Sequence, residues 1–290
     1  MTHRSLLRSY LFVPGDSEKK LAKGIAGDAD ALIIDLEDAV APSNKDAGRE
    51  MTAQFVRANA AMRPKLWVRV NAFVTGLTER DLADVVPGQP AGVVLPKCDG
   101  IEDVERVDAL LSNLEARHGL PTRSIRLMGI VTETASAVLN LPSLRKGHPR
   151  LASMMWGGED LATDLGASGN REPAGAFMEP FRVARSLCLL AARAAGVDAI
   201  DTVYTDIGNL DGLERETIAG RAMGFDSRAA IHPDQVPVIN KVFTPSESEI
   251  AWARKIIAAF DANPGAGVVR LDDKMVDQPH LKHARKLLGV

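Results

Sequence analysis

The sequence predicts an α/β fold, a (β/α)₈ TIM barrel with a C-terminal helical extension, and three observations carry that prediction. Eight short, nearly continuously apolar runs recur along residues 1–243 of the 290-residue chain. Segments with helical periodicity separate them, and strands so poor in polar positions belong to a parallel sheet covered on both faces. Eight such units in this length match the barrel, which typically takes ~250 residues. An open doubly wound sheet is the competing architecture. Against it, neither GxGxxG nor a Gly-rich phosphate loop follows the first run.

In chain order the first run is SYLFVPG (9–15), stopped by Pro14 and Gly15. ALIIDLED (31–38) comes next, four apolar residues running into a cluster of acids. LWVRVN (66–71), GVVLPK (92–97) and RLMGIVTE (126–133) follow, then SMMWGGED (153–160), DAIDTVY (198–204) and SRAAIHP (227–233). Between them EKKLAKGIAG, IEDVERVDALLSNLEARHG and MEPFRVARSLCLLAARAAG repeat apolar residues at helical spacing. Residues 244–290 exceed what the barrel needs. There Ser246 and Glu249 stand at capping-box spacing after Pro245 and predict a helix. AAFDANPGAGVV reads as a linker or a mobile loop, and LDDKMVDQPHLKHARKLLGV as a loop bearing three aspartates followed by an amphipathic helix.

Composition narrows the function. A net charge of −3 and a pI near 6.1, without a basic stripe interleaved with aromatics, speak against nucleic acid. No stretch reaches 18 consecutive apolar residues, so no membrane span is expected. The opening MTHRSLLRSYLFVPG lacks the apolar core of a secretory signal. Two cysteines, Cys98 and Cys188, form neither metal-ligand spacing nor a disulfide framework. A cytoplasmic protein is expected.

The polar residues that interrupt the runs fall at their C-terminal ends. Glu37 and Asp38 end the second, Arg69 and Asn71 the third, Lys97 the fourth and Glu133 the fifth. Glu159 and Asp160 end the sixth, Asp201 lies in the seventh and His232 ends the eighth. In a barrel those ends ring one mouth, where active sites of this fold lie. Glu133 and Asp160 end consecutive runs, and neighbouring strands are ~4.8 Å apart. Carboxylates so close repel unless a cation lies between them, and an all-oxygen pair suits Mg²⁺. Glu37 and Asp38 are then placed to accept hydrogen bonds from metal-bound waters. A salt-bridge network with Arg69 and Lys97 is the alternative partner for the same acids. Arg69 offers a planar donor fork for a substrate carboxylate. These residue types together handle a small oxyacid.

The segments RSYLFVPG, DLEDAV, VRVN, LPK, ETA, GGEDL, AIDTVYTDI, GFDSRAAIHPDQ and FTPSESE, with the closing KMVD, resemble the citrate lyase β-subunit-like family of CoA-ester lyases, within the HpcH/HpaI aldolase superfamily. The resemblance runs in order from Arg8 to Asp277. It implies a Mg²⁺-dependent (β/α)₈ barrel that assembles as a homotrimer or hexamer. It also implies reversible carbon–carbon cleavage of a carboxylated 3-hydroxyacyl-CoA, of the malyl-CoA or citramalyl-CoA type, to an acyl-CoA and a 2-keto acid. By the same resemblance Glu133 and Asp160 hold the metal and Arg69 holds the keto acid. Phe12 and Lys23 contact CoA, with Arg8 joining them, and Ile231 and His232 touch substrate. Asp277 is brought by a neighbouring subunit's tail to act as acid and base. A citrate lyase β subunit working with an acyl-carrier protein is the alternative. The chain departs from it with His232 where INP is usual, and with Asp273 where glycine precedes the KMVD lysine. It departs from malyl-CoA lyases with Ser17 in place of an arginine.

Overall fold

The computed structural model describes residues 7–61 and 65–290. The first six residues, part of the opening segment read above, lie outside the described residues. Eight strands form a closed parallel barrel in sequential order. Its first half comprises β1 (Ser9–Pro14), α1 (Glu18–Ile25), β2 (Ala31–Asp35), α2 (Lys45–Asn59), β3 (Lys65–Arg69), α3 (Thr78–Val85), β4 (Gly92–Leu95) and α4 (Ile101–Arg117). The second half comprises β5 (Arg126–Ile130), α5 (Ala135–Asn140), β6 (Leu151–Met155), α6 (Glu159–Asp164), α7 (Glu179–Ala195), β7 (Asp198–Asp201), α8 (Leu210–Met223), β8 (Ser227–Ala230) and α9 (Gln235–Phe243). Each of the eight apolar runs overlaps one of these strands, with β3 and β6 starting one and two residues earlier than their runs, and β1 pairs with β8 to close the ring.

Strand alternation sorts the side chains into two layers. Tyr10, Ala31, Ile33, Trp67, Val94, Met128, Ile130, Met155, Ile200 and Ala229 fill the interior. The residues between them, such as Val93, Leu95, Leu127 and Met154, pack with Val104, Val107 and Leu111 of α4 and Phe181 and Cys188 of α7. Both cysteines are buried here and free. One correction concerns the sixth run. Its strand stops at Met155, because Gly157 and Gly158 break it, and Glu159 opens α6. Asp160 therefore sits in the first turn of a helix rather than on a strand end.

The chain divides into two compact units, Leu7–Lys241 and Val242–Val290. The second holds α10 (Glu247–Asp261), β9 (Val268–Leu271), β10 (Lys274–Asp277) and α11 (Gln278–Leu288). The capping box predicted at Ser246 is present: the Glu249 N–H donates to Ser246 Oγ at 3.2 Å, and the Ser246 N–H to Glu249 Oε2 at 2.7 Å. The end of the expected linker and the expected loop, residues 268–277, instead form an antiparallel hairpin. Asp272 and Asp273 both take positive φ, 46° and 61°, which is the two-residue turn that matches strand twist. Val269 and Val276 of the hairpin join Ile256, Phe260, Leu281 and Ala284 in this unit's own core.

Candidate active site

Asp35 and Arg69 are cross-strand partners at the C-terminal ends of β2 and β3. Counting back by two, Asp35 shares its face with Ile33 and Ala31, and Arg69 with Trp67, so both extend the barrel's interior layers to the mouth. Arg69 Nε and Nη2 donate to the two Asp35 carboxylate oxygens, each at 2.7 Å, a bidentate pair. The fork predicted to grip substrate is thus already filled by the protein. Only Nη1 turns elsewhere, to Glu37 Oε2 at 3.0 Å and Asp38 Oδ2 at 3.8 Å. The Arg69 guanidinium also lies over the Phe12 ring, 5.0 Å from its centroid. Asp35 additionally accepts the N–H groups of Glu37 and Ala39, which shapes the loop after β2. Lys45 holds the same loop by donating to the carbonyls of Leu36 and Glu37.

Lys97, just beyond β4, joins the remaining acids. Its Nζ donates to Glu37 Oε1 at 2.7 Å and lies 3.2 Å from Asp160 Oδ1. Its backbone N–H donates to Glu133 Oε2. The residue adopts φ +50°, an uncommon conformation for a long side chain. Glu133 is 3% exposed and fits only because residue 157 is glycine. A Cβ there would lie 2.6 Å from Glu133 Cγ.

Four carboxylates, Asp35, Glu37, Glu133 and Asp160, meet two cations, Arg69 and Lys97, and the cluster is two positive charges short of balance. The shortfall shows where it should. Burial, then the neighbouring Asp160 carboxylate, pushes the Glu133 carboxyl up to about 8. Burial also raises Glu37, against the pull of Arg69 and Lys97. Burial works against ionisation of Asp35 too, but the Arg69 charge and the accepted hydrogen bonds hold it below the usual carboxylate range. Among the described residues no three or more His, Cys, Asp or Glu side chains gather into a metal cage. Mg²⁺ asks for less, since it commonly takes one or two carboxylates and keeps its waters. A buried carboxyl raised by a neighbouring carboxylate, in a cluster short of two positive charges, fits a divalent cation. The salt-bridge alternative is also realised, since Arg69 and Lys97 are the partners that the acids have in the chain itself.

The other predicted residues disperse. Lys23 is exposed in the last turn of α1. Arg8 precedes β1 and pairs with Asp30 through Nε and Nη2, both at 2.8 Å. This places Arg8 at the opposite end of β1 from the mouth cluster. Ile231 and His232 follow β8, where Gln235 Oε1 accepts both backbone N–H groups. Asp38 is exposed, unlike Glu37. Asp201 is no mouth residue. It accepts from Trp156 Nε1 at 2.7 Å and from Arg185 of α7, within the strand–helix layer. Asp277 caps α11 and contacts His280, whose hydrogen bonds and charge hold it below the usual carboxylate range. Asp35 was missed as a site residue, although its even spacing from Ala31 marks it as interior. Gly157 was missed because nothing local announces a close approach. A cleft of about 630 Å³ opens beside the cluster, lined in part by Glu37, Asp38, Asn71, Leu77, Arg80 and Lys97.

A closed barrel with such an acid-lined mouth is the architecture of a metal-assisted aldolase or lyase. Residues 8–233 match the HpcH/HpaI aldolase/citrate lyase family, and the chain belongs to it. It is 36% identical over 289 residues to a (3S)-malyl-CoA thioesterase of Cereibacter sphaeroides, covering 97% of this chain and 93% of that one. It is 32% identical to the mitochondrial citramalyl-CoA lyase of Rattus norvegicus, covering 97% and 85%. Among solved structures, it resembles protein CitE of Mycobacterium tuberculosis, in complex with magnesium, acetoacetate and coenzyme A. That likeness has a TM-score of 0.77 at 34% identity and covers 98% of both chains.

Proposed function

We propose that the chain is a Mg²⁺-dependent lyase that reversibly cleaves a carboxylated 3-hydroxyacyl-CoA, of the malyl-CoA or citramalyl-CoA type, to an acyl-CoA and a 2-keto acid. The observation that carries this reading is the mouth cluster, short of two positive charges and holding a raised, buried Glu133. Glu133 and Asp160 would hold the cation, which supplies Lewis-acid polarisation of substrate oxygens. Arg69, fixed by Asp35, presents Nη1 to the same space and offsets negative charge on the keto-acid oxygens. Phe12 packs against Arg69 in the interior layer, and its CoA contact is assigned by family resemblance. Lys23, Ile231 and His232 are assigned CoA and substrate contacts by family resemblance alone.

Residues 1–243 form the catalytic domain in this reading and residues 244–290 an extension that serves a homo-oligomer. Asp277 takes the acid/base role at the acyl α-carbon. Its pKa, held below the usual carboxylate range by His280, keeps it ionised, as a base in the condensation direction must be. Asp277→Asn and Glu133→Ala chains, each inactive alone, should recover part of the activity when mixed and reassembled. Mixed oligomers without activity would overturn sharing of the site between subunits.

The metal assignment is tested by Glu133→Ala and Asp160→Ala. Each should lower Mg²⁺-dependent turnover on the order of a thousandfold with little change in melting temperature. Acetyl-CoA and propionyl-CoA assayed with glyoxylate and pyruvate identify the pair used. The relative named a (3S)-malyl-CoA thioesterase favours a second reading, thioester hydrolysis. Cleavage releases keto acid and no free thiol, whereas hydrolysis releases free CoA thiol and no keto acid.

A further inference from the structure

Arg69 and Lys97, the two cations of the mouth, are held very differently. Arg69 is locked by two parallel hydrogen bonds to Asp35 and cannot leave without stranding a buried carboxylate. Lys97 reaches its acids at the end of a flexible stem, with single contacts to Glu37 Oε1 and Asp160 Oδ1. Its side chain is 28% exposed and borders the cleft beside the cluster, so the ammonium has somewhere to go. The backbone is the fixed part. At φ +50° the Lys97 N–H is spent on Glu133 while the stem crosses to Glu37 and Asp160. One residue thus touches all three acids that Arg69 does not neutralise outright, and it does so in a conformation that costs energy.

We infer that Lys97 is a tethered counter-ion that competes with the metal for Asp160 and so sets the site's metal affinity. The inference rests on the proposed Mg²⁺ site at Glu133 and Asp160. A dication on Asp160 shares that carboxylate with an ammonium now 3.2 Å away, and like charges at such range repel. The ammonium withdraws to Glu37 and the cleft, while the Lys97 N–H keeps Glu133 aimed. The acids are partly compensated before the metal arrives, and the metal binds less tightly than the bare carboxylates would hold it.

The test is calorimetric titration of MgCl₂ into the full chain, without substrate and at one pH. Wild type is compared with Lys97→Met, Lys97→Asn, Lys97→Arg and Glu133→Ala. The Met variant keeps the stem without the charge. The Asn variant suits the left-handed backbone and guards against a folding artefact, with melting curves run alongside. Both should bind Mg²⁺ on the order of tenfold tighter than wild type. The Arg variant should stay within about twofold, because the positive charge remains. A residue that merely props the loop would lower melting temperature and leave affinity unchanged or weaker. Wild-type binding that Glu133→Ala abolishes, with no tightening in the Met and Asn variants, overturns this inference and leaves the metal site standing. No binding by wild type or by any Lys97 variant overturns both.

Discussion

Two groups of buried acids and bases in one barrel have opposite fates. At β7, Asp201 is wholly enclosed and fully answered. Trp156 Nε1, Arg185 Nε and Arg185 Nη2 donate to it, and Arg228 stands 3.7 Å away. Burial opposes its ionisation, but the charges of Arg228 and Arg185 hold it below the usual range. At the mouth, Glu133 is as buried yet receives one backbone N–H and faces another carboxylate. The lesson is that burial of an acid says little by itself. A network that closes its own charge serves the fold, whereas one left short of positive charge is built around something still to bind.

The contrast breaks most visibly at Asp201. Asp201→Ala strands Arg185 in the strand–helix layer and leaves Arg228 to Glu216 alone, and urea denaturation should show a loss of about 3–5 kcal/mol. Mg²⁺ affinity of the folded protein should not change. The mouth should behave in the reverse sense. Glu133 carries its proton up to about pH 8 in the metal-free fold but only to about 4.5 when unfolded. Its contribution to stability is therefore fully present below about 4.5 and is lost as pH rises through about 8. Relative to Glu133→Gln, metal-free wild type should lose roughly 2–4 kcal/mol across that window. Parallel melting curves would refute the raised carboxyl. The smallest effect belongs to Gly157→Ala, whose methyl must push Glu133 aside. We expect Mg²⁺ affinity to fall about 10–100-fold with the barrel intact, read by the same titration.

Much of this was visible in the sequence, and the failures have separate physical causes. The eight runs gave the strands because a parallel sheet buried on both faces leaves an unbroken apolar imprint. The capping box at Ser246 gave the start of α10. Polar residues after Ile34, Val68 and Leu95 marked the mouth, since that edge tolerates them. What sequence could not convey was orientation. Asp201 and Asp35 both end strands, yet one faces the helices and the other the interior, a difference of one step in register. The hairpin at 268–277 was missed because Asp-Asp stands where Asn-Gly would have announced the turn.

The seam between β1 and β8 has a consequence for how the molecule comes into being. Ser9 Oγ donates to Asn240 across 231 positions of chain, and β1 and β8 pair in register beside that bond. During synthesis from the amino terminus, nearly the whole barrel leaves the ribosome before its last staves can meet. Until then β1 is an unpaired edge, open to any other extended segment nearby. The entropy of joining such distant ends is repaid only at that final step, which makes closure slow compared with formation of the individual helices. Nascent chains stalled short of β8 should therefore be sticky and dependent on chaperones, and release of the last strand should end that dependence abruptly.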